Sequence, residues 1–231
     1  MNPVEVYLLV EGQTERTFAR ESLAPALASQ GVYLHPTLVG TPGHKGGDVR
    51  FERARKDIAR LLKQRNDTFV TTMLDFFRID PKWPGRERIS DLAKAGTKLD
   101  PGRKAEIIEA ETRAVLEDSL PRYGVGRRFI PYFAMHEFEA LLFSDPAILS
   151  EITEIDERKI RKALSQFETP EHINEAKGPS KYLMAWLPGY KKVAMGNRIA
   201  AAIGMATMRD RCPHFHAWLL RLASLPRSPQ G

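Results

Sequence analysis

Four acidic residues in this chain sit where chemistry is most easily assembled. Glu11 directly follows the short, β-rich run Val4–Val10. Asp75 directly follows a second such run, Thr68 to Leu74, and Glu137 and Glu139 come just after a third, Phe129 to Phe133. In an open parallel α/β sheet, the ligand crevice lies outside the carboxyl ends of the strands. If the first and third strands are neighbours, Glu11 and Asp75 stand side by side. Two carboxylates held that close repel each other, and either one pKa rises or a cation is recruited. Mg²⁺ suits such a place, because it takes one or two protein carboxylates, keeps several waters and bridges to substrate phosphates. A bound Mg²⁺ or Mn²⁺ polarises a phosphoryl oxygen, orients the attacking group and neutralises the leaving oxygen. Glu11 and Asp75 are therefore the expected centre of a metal site, with Glu137 and Glu139 delivered to the same edge of the sheet. A single acid at a strand end is more often an ordinary loop or cap residue. Their recurrence at three strand ends favours a site.

Groups that could meet a phosphate lie nearby. Gly12 lets backbone or phosphate approach closely, and the helix expected after a Thr14 cap points its positive end at the same place. The glycine-rich stretch Gly40 to Asp48 (GTPGHKGGD) carries His44 and Lys45, which could offer backbone N–H groups and a positive charge to phosphate. A plain surface loop explains it equally well. Its spacing is not that of a Walker A motif, so ATP hydrolysis by this chain is not expected. Arg78 follows Asp75 closely enough to reach a phosphate. Arg53, Lys56, Arg60 and Lys63 form a stripe that reads better as a solvated helix face, with Glu52 and Asp57 interleaved. His136 is a metal ligand or proton shuttle on one reading and a hydrogen-bonded structural histidine on the other. Cys212, His214 and His216 lack the four-ligand spacing of structural zinc, and His214 is expected to cap or underlie the final helix. Trp83 reads as an anchor for its loop more readily than as a base-stacking residue.

The elements that must position these groups alternate. Strands are expected at Val4–Val10, Val32 to Val39, Thr68 to Leu74 and Phe129 to Phe133. Helices are expected after Thr14, with a kink or early end at Pro25, then over Arg50 to Arg65 and Lys104 to Leu120. The stretch up to about Gly102 is an excursion at the sheet edge, and Pro36 marks an irregular or edge strand. Strands separated by helices indicate a mostly parallel four-stranded sheet with right-handed crossovers, a Rossmann-like α/β fold. After Asp145 only helical patterns remain, broken at Pro170, Pro179, Pro188 and Pro213. The expected organisation is an α/β domain over 1–145, a helical extension packed on it over 146–226, and a tail at 227–231.

Composition bounds the class. The chain has 231 residues, 42% hydrophobic and 28% charged, enough for a sizeable core and against wholesale disorder. The formal net charge of +6 favours polyanionic partners. No apolar run approaches the roughly 20 residues of a bilayer span, so no membrane partner is expected. The N-terminus opens straight into a strand, without the basic segment or cleavage site of a secretory leader. The single cysteine cannot form an internal disulfide, which fits a reducing, cytoplasmic setting.

Val10-Glu-Gly-Gln-Thr-Glu15 resembles the first motif of Toprim domains, found in topoisomerases, bacterial primases and OLD-family nucleases. The chain as a whole is similar to a bacterial Toprim-like family, through VEGQTE (10–15), GHKGG (43–47), TTMLDFF (71–77), HEFEALLFSD (136–145), PSK (179–181), LPGY (187–190) and CPHF (212–215). The resemblance implies a Toprim-like fold, with Glu11 as general acid/base or metal ligand and Asp75 as the first acid of the aspartate motif. It departs from the pattern two residues later, where the second acid is replaced by Phe77. A second ligand then has to come from Glu137, Glu139 or Asp80. The implied activity is Mg²⁺- or Mn²⁺-dependent phosphodiester cleavage of DNA or RNA, with Lys45, Arg78 or Lys181 on the phosphate and an ATPase as a partner protein. The alternative is a degenerate module that binds nucleic acid or the ATPase without turnover. A nucleotide-binding regulator ranks last, since no GxGxxG fingerprint is present.

Overall fold

A computed structural model describes residues 3–40, 49–173 and 178–226 of the protein. The fold is α/β. Five strands, β1 (Val4–Val10), β2 (Val32–Leu38), β3 (Phe69–Asp75), β4 (Phe129–Ile130) and β5 (Phe133–Ala134), form a parallel sheet in the order β2-β1-β3-β4, with β5 also on β3. β1 pairs with β2 on one side and β3 on the other, so successive crossovers leave β1 in opposite directions. The topological switch point of the sheet falls between the carboxyl ends of β1 and β3.

The strands of the sheet interior are almost wholly apolar because both faces are covered. Val6, Leu8 and Val10 face the helix over residues 13–28 and most of the C-terminal helices, sharing one cluster with Phe18, Leu149, Ile199 and Trp218. Leu9, Val70 and Leu74 face the other way, onto helices Phe51–Gln64 and Pro101–Ser119. The segment after Asp145 therefore completes a layer of the α/β sandwich.

Sequence expectations and structure differ at several places for identifiable reasons. Helix 13–28 runs through Pro25 without breaking, because a π turn at Ala19–Leu23 precedes the ring and absorbs the lost hydrogen bond. Pro36 lies in β2, an edge strand, where its missing N–H breaks no second ladder. Asp75 is the last residue of β3, paired with Ala134, where the sequence put it just beyond the strand. The single strand expected over Phe129 to Phe133 is two, interrupted at Pro131. Side chains of β3 bridge the gap: Thr71 Oγ1 donates to the Ile130 carbonyl (2.5 Å), and Thr72 Oγ1 donates to Tyr132 O and accepts from Tyr132 N (3.0 Å each). Pro170, Pro179 and Pro213 begin helical turns instead of ending them, as proline's fixed φ and absent N–H favour.

The excursion after β3 is folded tightly. Trp83 is buried and donates from Nε1 to Thr112 Oγ1 (2.8 Å), an anchor and not a base platform. Gly85, at φ 91°, brings the backbone so near helix Pro101–Ser119 that a Cβ would lie 3.0 Å from Ile108 Cα. Asp80 accepts from Phe51 N and Lys82 N, both at 2.7 Å, so its two oxygens cap a helix and a turn. It is thereby removed from the candidate metal ligands. His214 does not cap the final helix. Glu171 does, accepting from His214 N and Phe215 N at 2.9 Å each, while the His214 ring stacks on Tyr132 and meets Glu109 Oε1 at 3.1 Å. No helix among the described residues is long and apolar enough to cross a membrane.

Thr71 ties β3, β4 and the last helix together, because its hydroxyl also accepts from Trp218 Nε1 (2.9 Å). Thr71→Val keeps the shape and leaves both partners unsatisfied in a buried place. The expected cost is about 1–3 kcal/mol of unfolding free energy, read from urea denaturation as a lower midpoint at unchanged slope.

Candidate functional site

Glu11 and Asp75 meet at the switch point. The register Val10↔Met73 sets the ends of β1 and β3 together, and the backbone of Asp75 lies against the Glu11 carboxylate. Glu11 Oε1 is 3.9 Å from Arg78 Nε, while Oε2 is buried with no hydrogen-bond partner. Burial is the main reason the Glu11 carboxyl is pushed up to about 7; the Glu15 charge adds to it, and Arg78 and Lys192 oppose it. Asp75 is driven well above the carboxylate range, first by burial and then by the charges of Glu15, Glu11, Glu137 and Glu139.

Glu137 and Glu139 reach the same place from the turn after β5. Glu137 Oε2 accepts from Ser180 N (3.0 Å) at the start of helix Pro179–Trp186. Gly178, next to it, leaves room for that carboxylate, since a Cβ would stand 3.1 Å from Oε2. Burial pushes the Glu137 carboxyl up, but Ser180 and Lys192 outweigh it and hold the group below its usual value. Glu139 is almost completely buried and raised by that burial, although Lys192 Nζ lies 3.0 Å from its Oε1. The same ammonium is 3.6 Å from Glu137 Oε1. Burial alone would lower the pKa of Lys192; Glu139, Glu137 and Asp75 raise it instead. Tyr190 lies beside these glutamates, with its hydroxyl held protonated by burial and by their charge.

Of the expected site residues, Glu11, Asp75, Glu137, Glu139 and Arg78 come together. Gly12 is present in a different role: its N–H donates to Glu15 Oε2 (3.0 Å), and its lack of a side chain keeps a Cβ from standing 3.1 Å from that oxygen. The helix start is thus met by Glu15, and Thr14 lies within the first turn while Gly12 takes the cap position. Lys181 is exposed, one residue beyond Ser180. His44 and Lys45 lie outside the described residues. His136 is buried and stacks beneath Phe77, ring centroids 5.5 Å apart at 23°.

Three functional side chains escaped the sequence. Glu15 was visible only as the acid three residues after a helix-starting glycine, a capping position. Lys192 and Tyr190 sit about 50 residues beyond the glutamates they meet, in a turn with no periodicity to single them out. Among the described residues, no three His, Cys, Asp or Glu side chains form a ready-made metal-ligand group.

Fold and site together define a Rossmann-like α/β protein with an acid-lined, lysine-bridged crevice at its switch point. The chain belongs to the family described as a domain of unknown function, DUF4276, whose model matches residues 10–223. No curated protein and no solved structure matches it.

Lys192 is the principal cation of the cluster, and its loss leaves Glu139 buried against like charges. With metal chelated, Lys192→Gln should cost about 1–3 kcal/mol near neutral pH, less than for a fully buried pair because the lysine is partly solvated. Carboxyls whose folded pKa is raised bind more protons folded than unfolded, so stability falls as pH rises through that interval. The cost should therefore be largest above pH ~7 and shrink toward pH ~5, where the acids take up protons. Chemical denaturation across that range, against wild type, reads the difference.

Proposed function

We propose that this chain is a Toprim-like, divalent-metal-dependent phosphodiesterase acting on DNA or RNA, centred on Glu11 and Asp75. The observation that carries the proposal is the pair itself: two strand-end carboxylates at the switch point, one buried, the other with a buried oxygen that no hydrogen bond satisfies. Natural chains leave such groups unsatisfied where a ligand completes them. The donors are hard oxygens, and two carboxylates with open positions match the modest protein contribution Mg²⁺ requires. Glu11 and Asp75 would hold Mg²⁺ or Mn²⁺; Glu137 and Glu139 are already engaged by Ser180 and Lys192 and stand behind them. When bound, the ion polarises the phosphoryl oxygen and neutralises developing charge. Arg78, half exposed beside Glu11, holds a non-bridging phosphate oxygen, and Lys192 balances the acids behind it. Should Asp75 alone hold the ion, the Glu11 carboxyl, pushed up to about 7 chiefly by burial, would lie within the range useful for general acid–base work at neutral pH. The buried, disulfide-free Cys212, its thiol pushed up to about 12 chiefly by burial, supports a cytoplasmic setting.

A second reading is favoured by two observations: Phe77 in place of an acid, and no preformed group of three metal ligands among the described residues. On that reading the chain is a degenerate module that binds nucleic acid, or a partner ATPase, without turnover.

Calorimetry with Mn²⁺ and Mg²⁺, alongside a cleavage assay on mixed single- and double-stranded nucleic acids, separates the two. The expected result is metal binding and cleavage in wild type, with both lost in Glu11→Gln/Asp75→Asn. Cleavage that survives the double substitution overturns the assignment. Salt-sensitive binding without metal uptake or cleavage establishes the module.

A further inference from the structure

Directly beyond the acid cluster lies an open groove of about 640 Å³, running from Phe77 and Arg78 to the wall of helix Arg86–Lys94. Its features do not fit a phosphate backbone. Asp91 and Lys94 on the wall neutralise each other at 2.9 Å, and Glu87 adds a negative charge. Arg86 is committed to the fold, donating to the carbonyls of Phe76 and Ile79 and covering the Phe76 ring. What remains is a mixed lining, in which Phe77, Ile79 and Pro81 supply the apolar surface and Glu87 and Ser90 hydrogen-bonding groups, with the Phe77 ring at one end.

That ring is unusual in its exposure and its rigidity. Phe77 is 43% exposed, in a chain that buries nearly all of its other phenylalanines. It is nevertheless fixed from two sides, stacked on the buried His136 ring and edge-on to Phe76 at 87°. A preset aromatic face loses little freedom on binding, and any nucleobase can stack on it. Its chain neighbour Arg78 reaches back toward Glu11.

We infer that Phe77 is the stacking platform for an unpaired nucleobase, seated in this groove while the adjoining phosphate lies at Arg78 and the Glu11/Asp75 pair. The inference rests on the phosphodiesterase reading for the position of the phosphate, and it adds the substrate class. A base stacked on protein is out of its duplex stack, so the substrate is single-stranded, or locally unpaired, DNA or RNA. Ser90 and Glu87 on the wall provide hydrogen-bonding groups for the base edge.

The test is fluorescence anisotropy of the full chain, in EDTA so that no cleavage intervenes, with labelled oligothymidylate, oligouridylate and a blunt DNA duplex of the same length. Wild type should bind the single strands more tightly than the duplex. Phe77→Ala should weaken single-strand binding about 5- to 100-fold and leave duplex binding unchanged, while Phe77→Trp restores it. Circular dichroism of the Ala variant checks its fold, and the Trp variant supplies a second, independent readout through quenching of its own emission by the bound base. Equal single-strand affinity in wild type and Phe77→Ala, or no preference for single strands in wild type, overturns the inference. If that happens while cleavage still depends on Glu11 and Asp75, the phosphodiesterase reading stands alone. Phe77-dependent binding without such cleavage supports the platform and removes the enzyme.

Discussion

The burial of Asp75 among like charges is the constraint around which the rest of this molecule is arranged. A carboxyl at the end of a central strand, surrounded by Glu11, Glu15, Glu137 and Glu139, is electrostatically costly wherever it occurs. The fold meets that cost with groups from distant segments: Lys192 from a turn late in the chain, the Ser180 amide from a helix start, and Arg78 from the loop after β3. Without the C-terminal layer, two of these three would be missing. That layer is therefore part of the site as much as part of the core.

Holding acids in such a place requires strand ends that do not shift. β3 is secured on one side by its ladder to β1 and on the other by threonine hydroxyls that replace the hydrogen bonds lost at Pro131. Trp218 fastens the final helix to the same threonine. The rigidity passes beyond the sheet edge. Immediately after Asp75, Phe76 turns inward under Arg86, Phe77 lies outward over His136, and Arg78 points back to Glu11. One short segment thereby sets an acid, an aromatic face and a cation in fixed relation.

Much of this was legible from residue order alone. Apolar runs ending in acids located β1 and β3, alternation with helices gave a parallel sheet, and the switch-point rule then placed Glu11 beside Asp75. The part that could not be read is long-range or depends on hydrogen-bond detail. Nothing in the sequence distinguishes Lys192 from the other lysines, because its role depends on the folding of a helical layer whose packing angles no periodicity encodes. Asp80 was a substitute ligand only if its loop folded back, and the backbone donors it meets show both of its oxygens engaged elsewhere. Pro25 was visible as an interruption, but the break at Pro131 was not, nor were the π turn and the threonine stitches that accommodate the two.

Charge balance also limits the order in which this crevice can be filled. Fully ionised, its five carboxylates face two cations, Lys192 and Arg78, and the imbalance is negative. A phosphodiester, itself an anion, is repelled from such a surface until protons or a divalent ion have been taken up. The raised proton affinities of Glu11, Asp75 and Glu139 come first from burial, and at Glu11 and Asp75 the neighbouring like charges add to it. An uncharged base meets no such barrier in the groove alongside, whose lining carries charges of both signs. On the proposed phosphodiesterase reading, binding through the base first, with the phosphate settling as the cation enters, is the order these electrostatics favour.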